Sequence, residues 1–300
     1  MYRVTCGAIV ENSMAYFTYG KKGKRASIYT YNATSSNWSL ITDCPIYDGF
    51  AVIIINGLLT TVGGYRDVSV DTNQLFSLIG EGNDQKWTEK FPPMPTKRYH
   101  TSALCTGTAL IVVGGFNNDY QCHKIVEVMN TKSCQWSTAA DLPEPLRNSS
   151  LTVYGDHLYL LGGMNKDHKR TKSVYSCSLS TLISSCGSQS LGQRLVKTMS
   201  RSSKGSIWNR VADLPVTYST CVSFHSQLLA ICGKDSDGEP TTAIHRYNQT
   251  SNSWKEISHM TTPRCWCCAA VLSDNQLMIV GGLTGLDGHA TDSVEFANLM

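Results

Sequence analysis

The 300-residue sequence predicts an all-β protein, a six-bladed β-propeller of four-stranded antiparallel blades. Three observations carry this. An apolar run ending in a glycine pair recurs along the whole chain, a tryptophan follows most of these pairs at a similar distance, and strand-sized apolar segments fill the space between. The clearest copy is LIVVGGF at 110–116, and it returns as TTVGGY, YLLGGM, LAICGK and MIVGGL, with a weaker YFTYGK near the start. A short apolar run stopped by glycines reads as a buried strand with a sharp exit, because glycine takes positive φ without steric cost.

The glycine markers are Gly63 and Gly64, Gly114 and Gly115, Gly162 and Gly163, Gly233, and Gly281 and Gly282, with Gly20 in the weak first copy. Second glycines lie 44, 51, 48, 70 and 49 residues apart, so the period is near 50. A fixed period of that size overrides the two domains that length alone would suggest. Trp38, Trp87, Trp136 and Trp254 follow their glycines by 18, 23, 21 and 21 residues, whereas Trp208 lags at 45. One insertion in the fourth unit explains both the long spacing and the late tryptophan.

The units run over 3–42, 47–91, 98–140, 147–212, 217–258 and 264–300 of a single domain covering 1–300. In the third, strands are expected at 101–105, 109–113, 125–129 and from Trp136 to 139. A four-stranded sheet has two faces to bury, and stacking such sheets around an axis covers both while leaving only short edges. The insertion, 177–206, is serine-rich and carries Arg194, Lys197, Arg201 and Lys204 without an acidic residue. It is expected to be a mobile basic loop between the third and fourth strands of blade four. Unit six reaches its third strand near Phe296, and its tryptophan would fall beyond Met300. The expectation is a last blade without its outer strand in this chain, and a longer parent protein with further domains.

Composition narrows the function. No apolar stretch approaches the ~18 residues of a membrane span, and a net charge of +3 gives no case for nucleic acid. The first ten residues show no secretory pattern. Twelve cysteines scatter through strand-like segments, as expected of buried thiols in a reducing compartment, so the expected location is cytoplasmic. The Asn-X-Ser/Thr sequons at Asn32, Asn37, Asn148 and Asn248 are then coincidental.

The glycine pair after an apolar strand, an aromatic seven residues before tryptophan (Tyr31 and Trp38, Tyr247 and Trp254), and Pro263 with Arg264 together resemble the Kelch repeat. The resemblance covers nearly the whole chain. Tyr19 and Cys232 depart from it at the first glycine, and Met129 at the aromatic. It implies a propeller closed by an outer strand from one terminus. It further implies an interaction module similar to the substrate-binding half of BTB-Kelch adaptors for cullin ubiquitin ligases, or to Kelch scaffolds that bind actin. A Kelch enzyme acting on sugars or oxidising alcohols with copper is the other class that the resemblance allows.

Signals for chemistry are weak. Cys265 and Cys268 form a CxxC without a second ligand pair, and side chains three apart on a strand face opposite ways. Asp235 and Asp237 lack the remaining ligands of a calcium loop. No HExxH or GxSxG occurs, so no metal, cofactor or catalytic residue is expected and the chain is read as a non-enzyme. The constellation above background is a set of arginines: Arg3, Arg98, Arg147 and Arg264 lie 17, 17, 16 and 18 residues before the second glycine. Tyr47, Tyr99, Tyr218 and Trp266 occupy neighbouring positions. Arginine beside aromatics is the composition of a recognition surface and grips carboxylates with two bonds. The expected partner is a protein or peptide with an acidic segment. The open alternative is that these arginines belong to the repeat and bond carbonyls of a neighbouring blade.

Overall fold

A computed structural model describes residues 2–3, 9–11, 14–21, 25–67, 70–186, 206–272, 276–285 and 288–297. Six antiparallel sheets of three to five strands are arranged as a six-bladed β-propeller, with three two-stranded pairs beside them. Blade three shows the pattern: Ser102–Thr106, Ala109–Val113, Val126–Asn130 and Trp136–Thr138 pair in sequence order from the axis outward. The first strands, Ile9–Glu11, Ala51–Ile55, Ser102–Thr106, Ser150–Tyr154, Thr220–Phe224 and Cys268–Val271, adjoin one another in a closed ring around the axis.

Core packing follows from the alternation of side chains along each second strand. In Ala109–Val113, Leu110 and Val112 pack with Ile53, Ile55 and Val62 of blade two, while Ala109, Ile111 and Val113 pack with Leu158 and Leu160 of blade four. A strand apolar on both faces is what a blade needs when it is covered from both sides. One such cluster fills each of the six junctions, the one between blades six and one being Cys268, Ala270 and Met278 against Ala15, Phe17 and Tyr31.

The glycine pair joins blades. Gly63 has φ of +65°, and a Cβ there would lie 2.5 Å from the Arg98 carbonyl of blade three. That close approach lets the Gly64 amide donate to the same carbonyl at 3.0 Å, a bond repeated from Gly115 to Leu146 and from Gly233 to Arg264. Cys232, standing where other blades have the first glycine, takes the same left-handed turn at φ +56°. The tryptophans also join blades. Indole N–H groups of Trp87, Trp136, Trp208 and Trp254 donate to carbonyls of Asp43, Pro92, Ala140 and Ala212 in the preceding blade.

Blade six differs. Among the described residues it holds three strands, Cys268–Val271, Leu277–Val280 and Val294–Ala297. Cys268 opens the first strand, so Cys265 and Cys267 both precede it. The insertion in blade four also departs from expectation. Cys177 and Ser178 finish the strand Val174–Ser178, and Leu179–Ser184 forms a short helix. Leu182, 0% exposed, packs with Trp208 in the junction of blades three and four, so apolar contact orders this part. Arg194, Lys197, Arg201 and Lys204 lie outside the described residues.

Candidate functional site

Each blade enters its first strand through a residue that pairs with the residue after the glycine marker. The pairs are Tyr2 with Lys21, Asp48 with Tyr65, Tyr99 with Phe116, Arg147 with Met164, Thr217 with Lys234, and Cys265 with Leu283. In this register the four arginines are not equivalent. Arg98 and Arg264 sit one residue before the paired position, Arg147 sits on it, and Arg3 sits one after it, opposite Gly20. Successive residues of an extended segment face opposite ways, so a common sequence offset does not make a ring.

Arg98 and Arg264 are both 0% exposed. Arg98 Nη1 donates to the carbonyls of Gly114 (3.1 Å) and Ile125 (3.2 Å), and Nη2 donates to the Glu127 carboxylate. Arg264 repeats this with Gly281 (3.0 Å), Ser293 (3.1 Å) and Glu295 (2.5 Å). The expectation that these two face a partner is thus corrected: each braces its own blade, because a carboxylate stands two residues after the carbonyl it bonds. Where no carboxylate stands there, no arginine does. The same two positions hold Tyr47 and Phe76 in blade two, Leu146 and Tyr175 in blade four, and Val216 and His245 in blade five. Tyr47, half-buried, shares the register of Arg98 and not that of Tyr99.

The residue after the paired position carries left-handed backbone in five blades: Gly49 (φ +71°), His100 (+53°), Asn148 (+52°), Tyr218 (+56°) and Trp266 (+54°). Neighbouring blades are stitched through these residues, since His100 N–H donates to the Gly49 carbonyl (2.6 Å), Asn148 to His100 (2.9 Å) and Trp266 to Tyr218 (3.2 Å). Bulky residues in this region cost on the order of 1–3 kcal/mol each, and such strain gathers at functional surfaces.

Around these turns lies a continuous set of rings. Tyr65 and Tyr99 stack at 4.0 Å, Tyr99 meets Phe116 edge-on at 5.5 Å, and Phe116 meets exposed Tyr120 at 6.3 Å. The Arg147 guanidinium lies 4.2 Å from the Phe116 ring centre, and its Nη2 meets His168 Nδ1 at 2.7 Å. In the following blades Tyr218 packs on Trp266 at 4.5 Å, with exposed Arg170 of blade four at 4.8 Å from the Tyr218 ring. Burial pushes the Tyr99 phenol up, and burial with the adjoining Tyr99 hydroxyl pushes Tyr65 further, so both stay protonated donors. Of the eight residues named from sequence, Arg147 and Trp266 are half-buried at this aromatic and cationic cluster, and Tyr99 and Tyr218 are its buried members, 6% and 9% exposed. Sequence reasoning missed Tyr65, Phe116, His168 and Arg170. Their signal was available, since Tyr65 and Phe116 follow the glycine pair directly.

The eleven described cysteines are free thiols. Burial pushes the Cys122 and Cys265 thiols up to about 11, and no group of His, Cys, Asp and Glu among the described residues could hold a metal ion. No helix among the described residues is long and apolar enough to cross a membrane.

A family profile described as KLHDC2/KLHL20/DRC7 Kelch-repeats domain matches residues 49–282. Human Kelch-like protein 23 is 22% identical over 274 residues, which is 90% of this chain and 43% of that protein. The Kelch repeat and BTB domain-containing protein 2 of cowpox virus is 22% identical, covering 84% and 44%. Mouse Kelch domain-containing protein 1 is 25% identical, covering 90% and 72%. The chain thus spans under half the length of the first two. The solved structure of YjhT superposes with a TM-score of 0.73 at 16% identity, covering 98% of this chain and 94% of that one, a likeness of fold alone. With the glycine pairs, the inter-blade tryptophans and a matching profile over most of its length, this chain belongs to the Kelch-repeat family.

Proposed function

We propose that this propeller is a protein-interaction module that holds an acidic, extended segment of a partner against Tyr99, Phe116, Arg147, Tyr218 and Trp266. The observation that carries the reading is Arg147. Its guanidinium is fixed over Phe116 with His168 as its single hydrogen-bond partner among the described residues, while Nε is buried and unbonded. A guanidinium held on an aromatic platform, with Nη donors left beyond the His168 contact, is prepared for a carboxylate. Arg170 over Tyr218 offers a second cation beside it, since Arg147 and Arg170 both pair with Met164 in blade four, so an extended chain lying on this face meets both.

The surface presents arginine and aromatic rings in place of a nucleophile with its base, which favours binding over catalysis. A place within a ubiquitin-ligase adaptor in the cytoplasm belongs to the same proposal. It is supported by the BTB domain named in the cowpox relative and by the part of that protein's length that this chain spans. A cytoskeletal scaffold is the alternative partner class, and other domains of a longer parent would decide between them. Neither nucleic acid nor membrane is proposed as a partner. The test is a peptide-array and pull-down screen with the native chain against Arg147→Glu. Selective loss of acidic peptides supports the reading, and identical capture by both chains overturns it.

A further inference from the structure

The position that holds a buried arginine in blades three and six is vacant of one in blade five. Val216 replaces Arg98, Cys232 replaces Gly114, Ala243 replaces Ile125 and His245 replaces Glu127, with the backbone preserved: Cys232 N–H donates to the Ala243 carbonyl at 2.9 Å as Gly114 does to Ile125 at 3.0 Å. Blades two and four fill the corresponding place with Tyr47 and Phe76, or with Leu146 and Tyr175. Valine and histidine do not. A cavity of about 510 Å³ opens there, lined by Val216, Thr241, Ala243, His245, Glu256 and Asp235 among others.

Two polar atoms of the lining residues, Thr241 Oγ1 and His245 Nδ1, are buried behind the surface of this cavity and lack a hydrogen-bond partner. The His245 side chain is 9% exposed, and its Nε2 faces Glu256 Oε2 at 3.9 Å. With Nε2–H turned to that carboxylate, Nδ1 is left as an acceptor. Burial lowers the pKa of His245, which keeps it neutral. Glu256 also meets His259 Nε2 at 3.1 Å and is half exposed at the mouth, with Asp235 on the same wall. Two buried, unpartnered acceptors just behind the lining and two carboxylates at its opening define a site for a cationic donor.

We propose that the blade-five cavity is a receptor for a guanidinium group, supplied by an arginine side chain of a second polypeptide. The guest enters toward the place that Arg98 and Arg264 occupy in their own blades, its fork facing Ala243, His245 and Glu256. An ammonium fits less well, because a point charge on a thin stem makes fewer simultaneous bonds than a planar fork. The site is defined by blade-five residues alone and stands whether or not the Arg147 surface binds an acidic segment.

The experiment is a methyl and amide NMR titration of the full chain with N-acetyl-arginine-N-methylamide, and with the lysine counterpart as control. The expected result is saturable shifts at Ala243 and His245, with the arginine probe at least about tenfold tighter than the lysine probe. Val216→Arg with His245→Glu rebuilds the internal pair of blade three and is expected to abolish the response while raising Tm. Glu256→Gln, a change at a half-exposed position, keeps the fold and is expected to weaken the arginine probe several-fold. Absence of saturable shifts, which leaves a cavity holding water only, overturns the proposal. So does equal response to both probes, or undiminished binding by Glu256→Gln.

Discussion

Arg264 Nη2 meets the Glu295 carboxylate at 2.5 Å while Nη1 bonds two carbonyls, and Arg98 makes the same three contacts with Glu127, Gly114 and Ile125. Both pairs are braces inside a blade. Removing one partner strands the other charge in the interior, so Arg98→Met is expected to cost about 3–5 kcal/mol. Blade four solves the same place without an ion pair, using Glu144, Leu146 and Tyr175, with the Tyr175 hydroxyl donating to the Glu144 carboxylate at 2.8 Å. Copying it into blade three through Thr96→Glu, Arg98→Leu and Glu127→Tyr is expected to recover most of that loss. Urea midpoints decide the matter, and a triple variant as unstable as Arg98→Met would contradict the equivalence.

Glu295 makes the acid response specific. Burial opposes its charged form, but amide donors from Thr261 (2.7 Å) and Thr262 (3.0 Å) and the Arg264 guanidinium outweigh this and hold the carboxyl below its usual 4.5. A carboxyl with a lower pKa folded than unfolded binds fewer protons when folded. Its contribution is complete above the unfolded value and is lost as pH falls through the folded one. His245, lowered by burial, acts in the same direction in a higher window: its contribution is complete above about 6.5 and is lost as pH falls below it. Tm against pH should therefore flatten just below pH 6.5 in His245→Gln, whereas the gap between native and Glu295→Gln should close only at acid pH. A pH-independent gap for Glu295→Gln argues against the brace.

The repeat was legible because a blade covered on both faces needs an apolar second strand and a glycine exit, and both leave a mark in one sequence. The arginine surface was not legible to the same degree. Arg98 and Arg147 differ by one residue of offset, and one residue along an extended segment exchanges the interior for the mouth. The partner that decides burial, Glu127 or Glu295, lies some thirty residues away on the third strand, where no local pattern flags it. Cys232 shows the limit from the other side, since a non-glycine residue keeps the left-handed turn at φ +56°.

Two glycines separate conformational cost from close approach. Gly57 and Gly63 both have positive φ, +77° and +65°, but a Cβ on Gly57 meets nothing within 4 Å, while one on Gly63 meets the Arg98 carbonyl at 2.5 Å. Alanine at 57 is expected to cost about 1–2 kcal/mol for the left-handed backbone alone. Alanine at 63 should cost clearly more, since the junction with blade three must open. Equal losses in thermal unfolding would show that the junction tolerates the added carbon.

Hydrogen exchange tests the propeller as a ring. The strand Val294–Ala297 pairs with Leu277–Val280 on one side, and no fourth strand covers its other side among the described residues. Phe296 is 45% exposed there. Strands with fewer neighbours open at lower free energy. Amides of blade six should therefore exchange faster than those of Ala109–Val113, and uniform protection around the ring would rule this out.

Arg147 carries the binding prediction that Arg98 and Arg264 no longer can. It is half-buried at the axis end of blade four, fixed by Phe116 and His168, and charge reversal there meets an acidic segment with repulsion in place of a two-bond grip. Arg147→Glu is expected to weaken an acidic peptide by a few kcal/mol, on the order of a hundredfold or more. Arg147→Lys keeps the charge but loses the fork, so it should fall between the two. Salt should weaken the native complex more than the Arg147→Glu complex, because the screened attraction is the one removed. Arg170→Glu, at an exposed site over Tyr218, removes the second cation without touching the guanidinium over Phe116: it should lower affinity less and leave stability unchanged. Fluorescence anisotropy at two ionic strengths separates these cases. If Arg170→Glu and Arg147→Glu lose affinity equally and salt affects both alike, the face acts only through its general positive field, and the guanidinium over Phe116 is not the grip.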